Sequence, residues 1–285
     1  MNKLVLSGEG VFPVVFDRYG RELKEKPATG LEIPGTIQGE GKLAGVPSLF
    51  VRLAGCNLRC IWTLPDGSLS RCDTPYASFD NNAHQVLTVE ETFNLIRFNT
   101  AHLKHIVITG GEPLLQHKAL AALLKKIKDE TDLHVSIETN GTLFSEEVAR
   151  YTDLFSLSPK LSDSHPTREK LARFGLNPSG PAIYHAEKRR SIGILQQFID
   201  HCRNEQKEFQ LKFVTGREND ADEIRKDFLA HLKGWQPDDI LLMPVGANEK
   251  ELKTTSAMVL KTAIQNGWRF SPRMHINVFG PQPGV

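Results

Sequence analysis

The sequence predicts an α/β fold with a mostly parallel sheet, and two observations carry that reading. From about residue 47 onward, six short apolar runs alternate with segments of helical spacing. Strand–helix repetition of this kind implies right-handed crossovers between parallel neighbours. Four of the runs also end in "TGGEP", "ETNG", "SPK" and "MPVG", at the carboxyl ends where parallel α/β folds build their sites. Six units suit a partial or a full barrel as well as an open sheet, and periodicity alone does not separate them.

The elements follow in chain order. Residues 48–54 ("SLFVRLA") read as the first strand of the repeat and 89–99 as the first long helix. Next come a strand over 105–110 ("HIVITG") and a helix over 117–129, where Leu120, Leu123, Leu124 and Ile127 recur every three or four residues. Strand 133–139 and helix 145–151 follow, then strand 154–158 and helix 191–204. The last two pairs are strand 209–215 with helix 221–232, and strand 239–244 with helix 248–266. Residues 161–190, containing "SHPTREK" and "NPSGPA", read as a polar, turn-rich and partly mobile insertion. Within it, "EKRR" (187–190) reads as a solvated helix face, whereas "MHINVFG" (274–280) has strand character. Residues 1–30 are an N-terminal extension of a single domain spanning 1–285.

At 285 residues the chain is long enough to bury a large core. Four cysteines are too few for a disulfide framework, and the N-terminal stretch "MNKLVLSGEGVFPVVFDRYG" lacks the apolar core and cleavage site of a secretory leader. No run approaches the roughly 18 uninterrupted apolar residues of a membrane span. A cytoplasmic location is expected, where clustered cysteines more often bind metal than pair. A net charge of +1, well mixed, lacks the basic footprint of a nucleic-acid binder.

Cys56, Cys60 and Cys72 fall within 17 residues, separated by three and then eleven positions. Three cysteines cannot all pair with one another. A structural zinc site wants four protein ligands, yet the loop contains no His, and distant Cys202 reads as a helix-packing residue. Thiolates also hold iron–sulfur clusters, and a [4Fe–4S] cluster with only three would keep one iron open to a small molecule. Residue type favours the cluster, with zinc and an ordinary core role as alternatives.

Six further words accompany the cysteines: "GTIQGEG" (35–41), "FVRLAGCNLRC" (50–60), "CDTPY" (72–76), "TGGEPLLQ" (109–116), "IETNGT" (137–142) and "SPK" (158–160). With "MHINVFG", they make the chain resemble the 7-carboxy-7-deazaguanine synthase family of the radical S-adenosylmethionine (SAM) superfamily. The resemblance covers most of 35–285, leaving 1–30 and 161–190 outside it, and implies a partial (β/α)6-type barrel with a cluster loop after its first strand. The usual superfamily spacing is three and then two residues, so about nine residues within "IWTLPDGSLSR" are inserted, which adds little closure entropy to a surface loop.

The resemblance also implies roles. Cys56, Cys60 and Cys72 would hold one [4Fe–4S] cluster, whose open iron chelates SAM; one electron then gives methionine and a 5′-deoxyadenosyl radical. Gly110 and Gly111 would allow close approach of the methionine end, and Glu112 with the backbone after it would take the ammonium. Ser158, Pro159 and Lys160, with Met243, Pro244, Val245 and Gly246, would complete the SAM site. The implied substrate is a small pterin, 6-carboxy-5,6,7,8-tetrahydropterin, converted to 7-carboxy-7-deazaguanine with loss of ammonia. Arg52 would pair with its carboxylate, Ile37, Gln38, Gly39 and Thr109 would read its edge, and Val285 would close over it. Thr74 would be a ligand to an assisting Mg²⁺. An electron donor such as flavodoxin and a homodimer are implied as well. Two rival readings are a radical SAM activase that makes a glycyl radical on a partner protein, and a non-catalytic zinc-binding interaction protein.

Overall fold

The computed structural model describes residues 2–79 and 84–285. Its strands are β1 (Lys3–Phe12), β2 (Thr36–Ile37), β3 (Pro47–Leu53), β4 (Ile61–Thr63), β5 (Leu69–Arg71), β6 (His84–Thr88), β7 (His105–Gly110), β8 (His134–Thr139), β9 (Leu154–Leu157), β10 (Glu208–Thr215), β11 (Ile240–Pro244) and β12 (Arg269–Phe270). The main sheet runs β12-β11-β10-β9-β8-β7-β3-β1-β6, with β2 beside β3. Every neighbour from β3 to β12 is parallel, so the six expected strands form a partial barrel in chain order. β1 is antiparallel to both β3 and β6, so the N-terminal extension begins with a strand. That strand is hard to see in the sequence because its register shifts between Leu6 and Val11, where glycines interrupt the apolar run.

The helices are α1 (Pro75–Ser78), α2 (Val89–Phe98), α3 (His117–Glu130), α4 (Glu146–Arg150), α5 (Arg168–Arg173), α6 (Gly180–Ile183), α7 (His185–Lys188), α8 (Ile192–Asn204), α9 (Asp220–Glu223), α10 (Glu249–Asn266) and α11 (Met274–Phe279). Thr88 and Glu91 form a reciprocal capping box at the start of α2. Asn248 caps α10 through Glu251 N, and Gly267 ends it in the left-handed conformation.

Alternation along the strands separates two environments. Val51, Leu53, Ile106, Ile108, Ile137, Phe155, Leu211, Phe213 and Leu242 are buried in the main apolar core, with α3 residues Leu120, Leu123, Leu124 and Ile127 and α8 residues Phe198 and Ile199. Phe198 meets Phe155 and Phe144 edge-on, at centroid distances of 4.8 and 4.9 Å. Burial of each such ring contributes about 1.5–3 kcal/mol. Cys202 lies fully buried in this core, as its helical spacing suggested. The intervening residues carry polar groups. Near the strand starts, His105 bridges Ser48 Oγ (2.7 Å) and Ser136 Oγ (2.8 Å), and Gln210 joins Ser156 Oγ (2.7 Å) to Lys42 N (2.7 Å). These bonds satisfy the side chains of His105, Ser48, Ser136, Gln210 and Ser156.

Three local expectations are corrected. Residues 161–190 fold into α5, α6 and α7, and Leu171 and Ala182 share a small core with Ile61 of β4. In "EKRR", Arg189 is not solvated: it donates to Lys160 O and Glu223 Oε1, both at 3.0 Å. "MHINVFG" is helical, not extended, because the position beside β11 is taken by β12. Arg189→Ala is expected to lower the unfolding free energy by about 1.5–3 kcal/mol, the range for hydrogen bonds to charged partners. Lys188→Ala, on the exposed side of the same turn, should leave it nearly unchanged; chemical denaturation of both variants measures the difference.

Candidate active site

A cavity of about 270 Å³ lies at the carboxyl ends of the parallel strands. Arg52, Thr109, Glu138, Ser158, Lys212, Val214 and Met243 line it from β3, β7, β8, β10 and β11 or from the turns that follow. Cys56, Cys60, Cys72, Thr74, Ile37, Gln38, Gly39, Gly110, Gly111, Lys160, Val245, Gly246 and Val285 line the same cavity. Three residues expected at the site do not: Glu112, Pro159 and Pro244 are absent from this wall. Pro244 faces a different pocket, against α10.

The inserted residues between Cys60 and Cys72 form the β4–β5 hairpin. Its ladder continues one step beyond the strands, where Cys72 N donates to Cys60 O at 3.1 Å. The eleven-residue gap therefore returns to its starting point, and the cysteines stand as neighbours despite their spacing. Burial pushes the Cys56 thiol up to about 12 and the Cys60 thiol higher still. Binding metal would displace those protons. Leu58 N donates to Cys56 Sγ at 3.4 Å and Asn140 Nδ2 approaches it at 3.9 Å, while Lys160 favours the Cys60 thiolate. Among the described residues, no three His, Cys, Asp or Glu side chains converge on the position of a single metal ion. Three thiols on one wall, with donors aimed at sulfur, fit a cluster. Thr74 Oγ1 lies 3.5 Å from Cys72 Sγ, just ahead of α1.

The "TGGE" turn is sewn to the cysteine loop. Gly111 N donates to Leu53 O (3.0 Å) and Glu112 N to Gly55 O (2.8 Å). A Cβ on Gly110 would strike Leu53 O, and one on Gly111 would strike Gly55 O. These glycines are required by contact with the loop backbone, which differs from the ligand approach expected of them. The Glu112 side chain points inward. Its carboxylate accepts from Leu114 N (3.0 Å), Asn140 N (2.8 Å) and Thr139 Oγ1 (2.8 Å), and so ties the end of β7 to that of β8. It positions the site and leaves no free face toward the cavity. Asn140 continues the tie, donating to Asn57 Oδ1 at 2.8 Å, while Asn57 Nδ2 donates to Thr142 Oγ1 at 2.8 Å.

Across the cavity lies a buried chain of charges. Glu40 accepts from Lys212 and from Arg273 Nε (3.0 Å); Arg273 also reaches Asp73 and Gly246 O. Burial disfavours the charged form of Glu40, but Lys212, Arg273 and His275 outweigh it and hold its carboxyl far below the usual range. Lys212 also lies 3.5 Å from Glu138, which accepts from Gln38 Nε2 and Thr109 Oγ1, both at 3.2 Å. Gln38 Oε1 receives Glu40 N at 3.0 Å, so the amide orientation is set from both ends. Gly39 presses against His275, whose ring a Cβ would strike, and its carbonyl accepts Met274 N at 2.9 Å.

Arg52 stands outside this chain. Its guanidinium lies over the rings of Phe12 (5.1 Å) and Tyr76 (5.7 Å), and its Nε is buried with no hydrogen-bond partner among the described residues. The cavity carboxylates Asp73 and Glu138 are engaged elsewhere. A half-buried cation with an open donor suits an incoming anion.

Glu40, Asp73, Glu138, Asn140, Lys212, Arg273 and His275 escaped the sequence reading. Lys212 and Glu138 left a trace, since each is a charge in a strand and falls on the same alternation as Gln210 or Ser136. Arg273 left none.

Burial pushes the Glu112 carboxyl up to about 7, from a model-peptide value of 4.5, despite the donors around it. Below about pH 4.5 it is protonated in both folded and unfolded chains, and its contribution to stability is full. As pH rises toward 7 the unfolded chain ionises first, so stability falls, and the loss is complete above the folded value. Unfolding free energies measured between about pH 4.5 and pH 8 should show this decline in the parent protein and a flatter profile in Glu112→Gln.

Residues 51–173 match the Radical SAM superfamily. Over 276 residues the chain is 33% identical to a 7-carboxy-7-deazaguanine synthase of Halobacterium salinarum, covering 94% of this chain and 96% of that one. It is 34% identical over 248 residues to a 7-carboxy-7-deazaguanine synthase of Rhodopirellula baltica, covering 87% and 85%. The crystal structure of QueE from Escherichia coli shares the fold, with a TM-score of 0.55 and 22% identity over 95% of this chain and 97% of that one. No helix among the described residues is long and apolar enough to cross a membrane. The chain belongs to the 7-carboxy-7-deazaguanine synthase family of radical SAM enzymes.

Proposed function

We propose that this chain converts 6-carboxy-5,6,7,8-tetrahydropterin into 7-carboxy-7-deazaguanine, with loss of ammonia, as a radical SAM lyase of deazapurine biosynthesis. The observation that carries the reading is Arg52, a cation with an unpartnered buried Nε in the same cavity as three cysteines. A radical SAM enzyme uses a [4Fe–4S] cluster and SAM, and Cys56, Cys60 and Cys72 are the residues that would hold the cluster. When bound, the cluster and SAM supply the radical that removes a hydrogen atom from the substrate.

The protein's own groups do the rest. Arg52 pairs with the substrate carboxylate and so fixes the adjacent carbon. Glu138, Gln38 and Thr109 offer a pre-oriented edge of acceptors and donors to the pterin, with Ile37 and Gly39 beside them. Ser158, Lys160, Met243, Val245 and Gly246, with Gly110 and Gly111, form the wall toward SAM. In this reading Thr74, close to Cys72, is the residue that would give one oxygen to an assisting Mg²⁺. Residues 280–285 all line the cavity and would exclude water during reaction. Their position supports a small-molecule substrate over a protein loop. We read the chain as one domain that acts as a cytoplasmic homodimer and is reduced by a flavodoxin-type donor.

Anaerobic incubation of the reconstituted protein with SAM, a reductant and the carboxytetrahydropterin, read by mass, should show the deazaguanine product; SAM cleavage without that product overturns the substrate. Arg52→Ala should weaken substrate binding by about 2–5 kcal/mol, the cost of removing one partner of a desolvated charge pair. Its iron content should be unchanged, and Arg52→Lys should recover only part of the loss. Deleting residues 280–285 should leave iron content and folding intact while weakening substrate affinity; equal affinities would assign these residues no part in the site.

A further inference from the structure

The β4–β5 hairpin is two strands of three residues, too short to be stable alone. Its outer edge is finished by side chains from one other segment. Arg59 N donates to His185 Nδ1 (3.3 Å), Ile61 O accepts from Lys170 Nζ (2.8 Å), and Thr63 N donates to Asp163 Oδ2 (2.8 Å). Contacts at every second residue are those a third strand would make, yet they come from three side chains within 161–190. Ile61, Leu171 and Ala182 bury one another beneath them, with Leu69, Phe79 and Phe174 packed around.

We propose that residues 161–190 clamp the cysteine loop, with His185 as the positioning residue for the backbone between Cys56 and Cys60. His185 is fully buried. Its Nε2 lies 3.0 Å from Ser164 Oγ, whose own hydrogen is given to Leu161 O at 2.7 Å. Ser164 must therefore accept from Nε2–H, which leaves Nδ1 as the bare acceptor that Arg59 N–H needs. One tautomer satisfies all three groups. Lys170 adds a second tie, since it also contacts Asp163 through the carbonyl and the carboxylate (3.2 Å). The hairpin and 161–190, the two stretches the sequence marks as insertions, thus form one unit that sets where Cys60 and Cys72 stand. The inference rests on the proposed cluster role of these cysteines for its purpose, but not for its geometry.

The test uses the full chain with His185→Ala, His185→Asn, His185→Gln and Lys170→Met. Asn keeps an acceptor near the Nδ1 position, whereas Gln keeps only the Nε2 side. Amide exchange at Arg59 and Thr63 in the metal-free protein should quicken by about tenfold or more in the Ala and Gln variants, the effect of losing one buried hydrogen bond. His185→Asn should stay near the parent value. In the iron-loaded protein, release of iron to a chelator should follow the same order, with a spectrum of the reduced cluster that changes in Ala and Gln only. Lys170→Met, a milder change at the half-buried end, should quicken exchange at 59–63 even if His185→Ala does not fold. Parent-like exchange in Lys170→Met, or in a folded His185→Ala, overturns the clamp, as does equal damage from Asn and Ala. A chain that takes up no iron while the exchange order holds would instead count against the cluster.

Discussion

Glu40 meets Lys212 and Arg273 across the interior of the barrel, and Arg273 passes the contact on to Asp73. Four segments distant in sequence meet there: the turn after β2, the middle of β10, the cysteine loop and the residue that leads into α11. The main sheet has two open ends, at β12 and β6, so no main-chain ladder joins β12 back to β3. Alternating charges span the cavity instead. Burial works against each of these ions, yet the partner charges hold Glu40 far below and Lys212 and Arg273 far above their ordinary values. Such a chain is stable only when complete, since removing one member of a buried ion pair typically costs about 3–5 kcal/mol.

Because those ions neutralise one another, the cavity keeps a specific charge pattern. Asp73 is committed to Arg273, and Glu138 is shared among Gln38, Thr109 and Lys212. Arg52 is left with aromatic faces and an unpartnered Nε. A planar guanidinium held between Phe12 and Tyr76 gives up little further freedom on meeting a carboxylate. Elsewhere in the same cavity, Gln38 and Glu138 are oriented before any ligand arrives. Preorganisation of both ends reduces what binding must spend on ordering.

The cysteine loop relies on a different principle, close backbone packing. Leu53 and Gly55 take their hydrogen bonds from Gly111 and Glu112, and a side chain at Gly110 or Gly111 would not fit. The buried Glu112 carboxylate then links the ends of β7 and β8. On the far side, the hairpin and 161–190 complete each other's hydrogen bonds and core. The loop is thus held from within by main chain and from outside by side chains. A shift on either side would move Cys56 relative to Cys60.

The sequence by itself determined the six parallel strands, the long helices between them and the end of the barrel where a site would lie. Those features follow from local periodicity and turn chemistry, which each short stretch carries within itself. The three cysteines were legible from their clustering in one loop, and Arg52 only through the family resemblance of the words around it. Only the tertiary structure decided that Cys72 returns to Cys60, since that depends on pairing between β4 and β5 across a turn. It also decided that Glu112 faces inward and that Arg189 and His185 brace other elements. The strand character of 274–280 gave way to a helix, α11, and it is β12 that pairs with β11. Glu40, Lys212, Arg273 and Asp73 are joined across 172 to 233 positions of chain. No local pattern encodes a charge pair of that separation, because its energy exists only once folding has removed the water between the partners.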